Sequence, residues 1–199
     1  MSRVVAAALL VMSPFAQAGL VVYDFEGFAD SAPLIGQYAG LTFSNATVLS
    51  AGISLNEFEF PPASGSNVIF DDGGAITINF AGPVFMAGAS FTYAVGLSFA
   101  VYDSNQTLLT TVFSGFSNNL DLSGEVGSSP NEFLSFDSVA GQIARIVVTG
   151  DTAGGSFALD DLRVDSGAAM PEPGTLTLVA GLLAAGFVPG GWMRRRQMP

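Results

Sequence analysis

The chain has 199 residues, with 17 acids against six basic residues, every one of them arginine, and it contains no cysteine, histidine or lysine. That length makes one domain with a full hydrophobic core, and the missing side chains exclude a disulfide framework, thiolate or imidazole metal ligation, and any nucleophile that depends on a histidine base. Sixteen of the acids but only Arg145 and Arg163 among the arginines lie between Gly19 and Met170, and so acidic a body excludes nucleic acid as a partner, since phosphate binding requires a basic surface.

Residues 1–18 have the pattern of a secretory signal peptide. Arg3 supplies the positive start, Val4 to Met12 an apolar run, and Ala16-Gln17-Ala18 the small-x-small cleavage pattern, which places the mature start at Gly19. The apolar run is too short to span a bilayer.

Residues 19–166 alternate short apolar runs with turn clusters, the signature of strands. In "AITINF", Ile76, Ile78 and Phe80 share one face; in "SFTYAV", Phe91, Tyr93 and Val95; in "LSFAVYD", Leu97, Phe99 and Val101; in "IARIVVT", Ala144, Ile146 and Val148. Further strands are read in "LVVYDFE", "LTFSN", "TVLS", "NVIFD", "TLLTTVF", "EFLSFD" and "FALDDLRV". No helical period and no repeat appears between them. About eleven short strands with Gly/Asn/Asp turns predict an antiparallel β-sandwich, most economically a jelly roll. The stretch "GISLNEFEFPPASGSN" (52–67) is either a long surface loop or, through Glu57 to Phe60, a short edge strand, because Pro61-Pro62 excludes a central one. "FDDGG" (70–74) reads as a hairpin turn, not a cation loop, because the alternating acids of an EF-hand are missing. No G-x-S-x-G elbow occurs. Sixteen carboxylates would allow a glycosidase by inventory, but nothing in their spacing selects a pair.

Two groups of acids continue apolar stripes at strand ends. Leu20, Val22, Asp24 and Glu26 alternate on one face of "LVVYDFE", and in "FALDDLRV" the face of Leu162 and Val164 extends backwards to Asp160, not Asp161. A carboxylate aimed at a core is costly unless paired or bound to a cation. With two arginines available, a hard cation held by carboxylates and backbone carbonyls is one solution; solvated strand ends are the other.

After a linker (167–174) containing Pro171-Glu172-Pro173 comes an uncharged apolar run. Residues 175–193 are long enough for a transmembrane helix, about 30 Å with its flanks. A tail (194–199) opens with Arg194, Arg195 and Arg196. By the positive-inside rule the arginines stay in the cytoplasm and the body lies outside, with Trp192 at the interface; Pro189-Gly190-Gly191 interrupts the last turn.

The Pro-Glu-Pro triplet, span and terminal arginine cluster resemble the PEP-CTERM sorting signal of Gram-negative bacteria. That resemblance implies recognition by an exosortase, transient membrane anchorage, cleavage near the triplet, and delivery to the cell surface or extracellular matrix alongside exopolysaccharide. A second resemblance rests on Phe25-Glu26-Gly27 and on Leu159-Asp160-Asp161-Leu162. They look like the two ends of jelly-roll carbohydrate-binding modules of galactose-binding-like fold. It implies neighbouring first and last strands joined by a structural Ca²⁺, with Glu26 and Asp160 as ligands and Asp24 or Asp161 as helpers. No tryptophan in the body marks a sugar platform, and Tyr23, Tyr38, Tyr93 and Tyr102 are read as core or rim. The expectation is thus a non-enzymatic surface protein that binds polysaccharide or another surface component. A structural matrix or coat subunit is the alternative, and a glycan-active hydrolase comes last.

Overall fold

The computed structural model describes residues 19–167, which hold eleven strands and no helix. They are β1 (Leu20–Tyr23), β2 (Leu41–Ser44), β3 (Ala46–Ser50), β4 (Asn67–Asp71), β5 (Ile76–Val84), β6 (Met86–Tyr93), β7 (Ser98–Tyr102), β8 (Leu108–Phe113), β9 (Glu132–Asp137), β10 (Ile143–Thr149) and β11 (Phe157–Asp165). Each expected run forms a strand. The signal-peptide residues Ala16 and Ala18, the Pro171-Glu172-Pro173 motif, the span 175–193 and Arg194 to Arg196 lie outside the described residues.

The strands pair antiparallel into two sheets packed face to face. Sheet I has the order β3-β4-β11-β6-β9, with β1 added to β11; sheet II has the order β2-β5-β10-β7-β8. From β2 onward the chain passes repeatedly between the sheets, giving a jelly-roll sandwich. Along one edge β11 pairs first with β4 (Leu159↔Ile69) and then with β1 (Tyr23↔Leu162), so the first and last strands are neighbours. The main core is filled by alternate residues of both inner faces. Phe91, Phe157, Leu159 and Leu162 come from sheet I, and Ile78, Phe99, Ile146 and Val148 from sheet II.

Two local expectations fail for identifiable reasons. β4 belongs to sheet I and β5 to sheet II, so "FDDGG" is a crossover between sheets, not a hairpin. Its Asp71 is buried and accepts the N–H groups of Ser156 (2.7 Å) and Phe157 (2.9 Å) and the Ser156 hydroxyl (2.8 Å), which fixes the start of β11. Loss of water pushes the Asp71 carboxyl above its ordinary range despite those bonds. In β10 the register slips between Ile143 and Arg145, so Ile143 enters the core and Ala144 does not.

Residues 52–66 form a loop and Asn67 opens β4; Glu59 and Phe60 donate their N–H groups to the Asn56 carbonyl in a turn. The loop covers part of the outer face of sheet I. Leu55, Val68 and Ala158 form a second small core there, with Phe60 edge-on to Phe70 at 5.6 Å. The long β8–β9 connection meets it: Glu59 accepts the Leu122 N–H and Ser123 hydroxyl, and Asn131 donates to the Pro61 carbonyl.

Candidate functional site

Asp160 sits where β11 bulges. The register against β6 shifts between Asp160 and Arg163, and Asp161 takes φ 46°. The extra residue inverts the side-chain alternation, so Phe157 and Leu159 before it and Leu162 and Val164 after it all reach the main core. Asp160 therefore points away from the face of Leu162 and Val164, contrary to strict alternation, and is buried beneath the 61–64 segment. Its Oδ2 accepts the N–H groups of Ala63 (2.8 Å) and Ser64 (2.9 Å), and its Oδ1 that of Asp161 (2.7 Å). Burial pushes this carboxyl up to about 6, although the amides act in the opposite direction. Asp161 accepts the Ser64 hydroxyl at 2.7 Å and lies 3.8 Å from the Arg163 guanidinium.

Glu26 is not on a strand. β1 stops at Tyr23, and Phe25 turns the chain with φ 63° while its ring enters the core. Glu26 Oε1 accepts the N–H groups of Ser66 (2.8 Å) and Asn67 (2.7 Å). Its carboxylate lies where a side chain on Gly65 would stand, and Gly65 has φ 54°. Asn67 completes the joint by donating to the Phe25 and Phe28 carbonyls. Asp24 bonds only its neighbourhood, through the Glu26 N–H at 3.3 Å.

Glu26, Asp160 and Asp161 thus converge on residues 63–67, while Asp24 does not. The donor set fits backbone anchoring better than a cation. Both carboxylate oxygens of Asp160 and Oε1 of Glu26 are turned to amide hydrogens, and among the described residues no three acidic side chains come together in a way that could hold a metal ion.

A different surface is open. The outer face of sheet I is largely closed by the loops, with Ser90, Thr92, Ala158 and Asp160 all buried. No outward side chain on sheet II is buried to that extent. Register places Thr42, Asn79, Arg145, Tyr102 and Leu108 in one row across all five strands. Ser44, Thr77, Val147, Ala100 and Thr111 form the next, and Thr149, Ser98 and Phe113 the third. The Arg145 guanidinium lies 4.3 Å from the Tyr102 ring centre, and Asn79 donates to the Thr42 hydroxyl. Phe113 is exposed at the far end. From Tyr102 to the Ser98–Phe113 pair is about 13 Å at ~3.3 Å per residue. Two clefts flank this face at opposite corners. One of 390 Å³ is lined by Ser98, Phe113, Phe116 and Thr149 among others, and one of 330 Å³ by Tyr38, Thr42 and Asn79 among others. Neither is lined by an acid.

The five strands of sheet II contain no Asp or Glu, and Arg145 is their only charge. Sheet I strands carry six acids, Asp71, Glu132, Asp137, Asp160, Asp161 and Asp165. Which strands carry acids can be read from the sequence, but not which strands share a sheet, so the segregation appears only in the structure. Tyr93 fits the core reading; it is buried, and desolvation followed by the Glu132 carboxylate raises its hydroxyl to about 12. Tyr102 is half-buried and stands on the open face, outside the core.

No family model matches the chain, and no curated protein matches it in sequence. Solved structures do match in fold. The K2 cleaved adhesin domain of Lys-gingipain is 15% identical, with 74% of this chain and 98% of that one covered and a TM-score of 0.47. A family 29 carbohydrate-binding module, CBM29_1 from Piromyces equi, is 14% identical, with 77% and 94% covered and a TM-score of 0.42. A family 6 carbohydrate-binding module is 15% identical, with 69% and 96% covered and a TM-score of 0.38.

Proposed function

We propose that this chain is an exported surface or matrix protein whose sandwich binds polysaccharide, without catalysis, through the outer face of sheet II. Export and sorting rest on the signal-like start and the Pro-Glu-Pro, apolar and arginine pattern. On this reading an exosortase is the processing partner, and the product belongs to the surface or matrix of a Gram-negative cell. The observation that carries the binding role is the open, acid-free face, with Arg145 stacked on Tyr102 amid Thr42, Asn79, Thr77 and Thr149. Hydroxyl and amide groups match the hydroxyls of a sugar chain. Tyr102 and Phe113 offer apolar area to the C–H faces of its rings. The strip is long enough to seat a short run of pyranose rings.

The test is affinity electrophoresis of residues 19–167, which contain every described strand and both cores, through gels holding soluble glucan, mannan or polygalacturonate. Retardation by at least one polymer is expected, with at least about a tenfold loss for Tyr102→Ala, the equivalent of about 1.4 kcal/mol. Unretarded migration of a cooperatively melting domain in every gel would overturn the proposal. A second reading, a self-associating matrix subunit, draws support from Leu20, Val21 and Val22, all exposed on β1.

A further inference from the structure

Arg145 deepens that reading. The body carries sixteen acids and two arginines. Arg163 lies over Phe133 at 4.9 Å and within ion-pair distance of Asp161. The Nε of each arginine is buried without a hydrogen-bond partner, but Arg145, unlike Arg163, has no carboxylate within ion-pair distance among the described residues. Tyr102 covers one side of the guanidinium, and the row neighbours Asn79 and Thr42 carry no charge. In a molecule this acidic, the strands of sheet II carry no acid, and their single cation has no ion-pair partner among the described residues.

From this charge complementarity, and resting on sheet II as the binding face, we infer that the polymer it takes carries carboxylates on its sugar rings, one of which pairs with Arg145. A guanidinium presents a planar fork that fits a carboxylate in a bidentate pair, which a neutral hydroxyl cannot match. The remaining negative charge does not prevent this. The sheets of a sandwich pack about 10 Å apart, and at physiological ionic strength the screening length is about 8 Å. The strand acids lie on the other sheet, so their repulsion of a ligand carboxylate acts over about 10 Å and around the solvent-exposed outside of the domain, whereas Arg145 meets that carboxylate at contact distance. Stacking on Tyr102 also holds the guanidinium in place before the ligand arrives, which lowers the ordering cost of binding.

The experiment compares polygalacturonate with its fully methyl-esterified form, which keeps the same backbone and loses the charge. Binding of both to residues 19–167, and to R145Q, R145K and Y102A, is followed by calorimetry, with a thermal melt of each variant as the control for folding. We expect the ester to bind at least tenfold more weakly than the acid. R145Q should lose at least tenfold on the acid and little on the ester, with R145K in between. Equal affinity for acid and ester, or an R145Q that binds the acid as the wild type does, would overturn the inference. If a neutral glucan or mannan binds in a Tyr102-dependent way while polygalacturonate does not, the inference fails and the binding face stands. If no polymer binds, both fail.

Discussion

Asp160 is a residue whose chemistry departs far from its ordinary behaviour. Its proton is held to about 6 against an ordinary value of 3.8, because burial disfavours the charge more than three N–H groups favour it. The sign follows. The unfolded chain releases this proton near pH 4 and the folded one near pH 6, so Asp160 subtracts stability as pH rises through that window. Asp160→Asn removes the titration, although its amide would face the Asp161 N–H and add a cost independent of pH. Chemical denaturation of both proteins at pH 4 and pH 7 should therefore show the difference between them moving in favour of the variant by about 2–3 kcal/mol at the higher pH. A difference that stays constant with pH would show that folding leaves the affinity of this carboxyl for its proton unchanged.

At the scale of the element, the 61–67 segment illustrates how much of the fold was legible. All eleven strands could be read from alternation and turn residues, as could the inward faces of β5 and β7. What alternation cannot register is an inserted residue. The bulge at Asp161 turns Asp160 to the opposite face, and the slip in β10 exchanges Ile143 for Ala144. The sequence draws attention to the acids at the first and last strands, but their partners could not be read from it. Those partners are backbone N–H groups of a loop far away in sequence, which leave no side-chain signal. The segment is anchored at both ends by carboxylates that accept its backbone N–H groups, an anchorage that works without a cation. Melting of residues 19–167 should give the same midpoint in millimolar Ca²⁺ as in EDTA. A Ca²⁺-dependent rise would mean that a cation binds the native state selectively.

At the scale of the molecule, the sandwich divides its labour by face. Sheet I takes the long loops, the buried carboxylates and the acidic strands, and most of its outer side is consumed in holding the domain together. Sheet II is left open, short of charge and lined with hydroxyls, amides and two aromatic rings. Neither composition nor period distinguishes these two sides, because β2, β5, β7, β8 and β10 become one surface only through crossovers that the sequence does not spell out. The arginine in "IARIVVT" gained its meaning from register, which sets it between Asn79 and Tyr102. The most direct test of this division is an amide chemical-shift map of labelled residues 19–167. The probe is a hexasaccharide cut from whichever of glucan, mannan or polygalacturonate the domain retains. The account predicts saturable shifts centred on Asn79, Ala100, Tyr102, Arg145 and Val147. Shifts confined to the 52–67 and 114–131 loops over sheet I would contradict it.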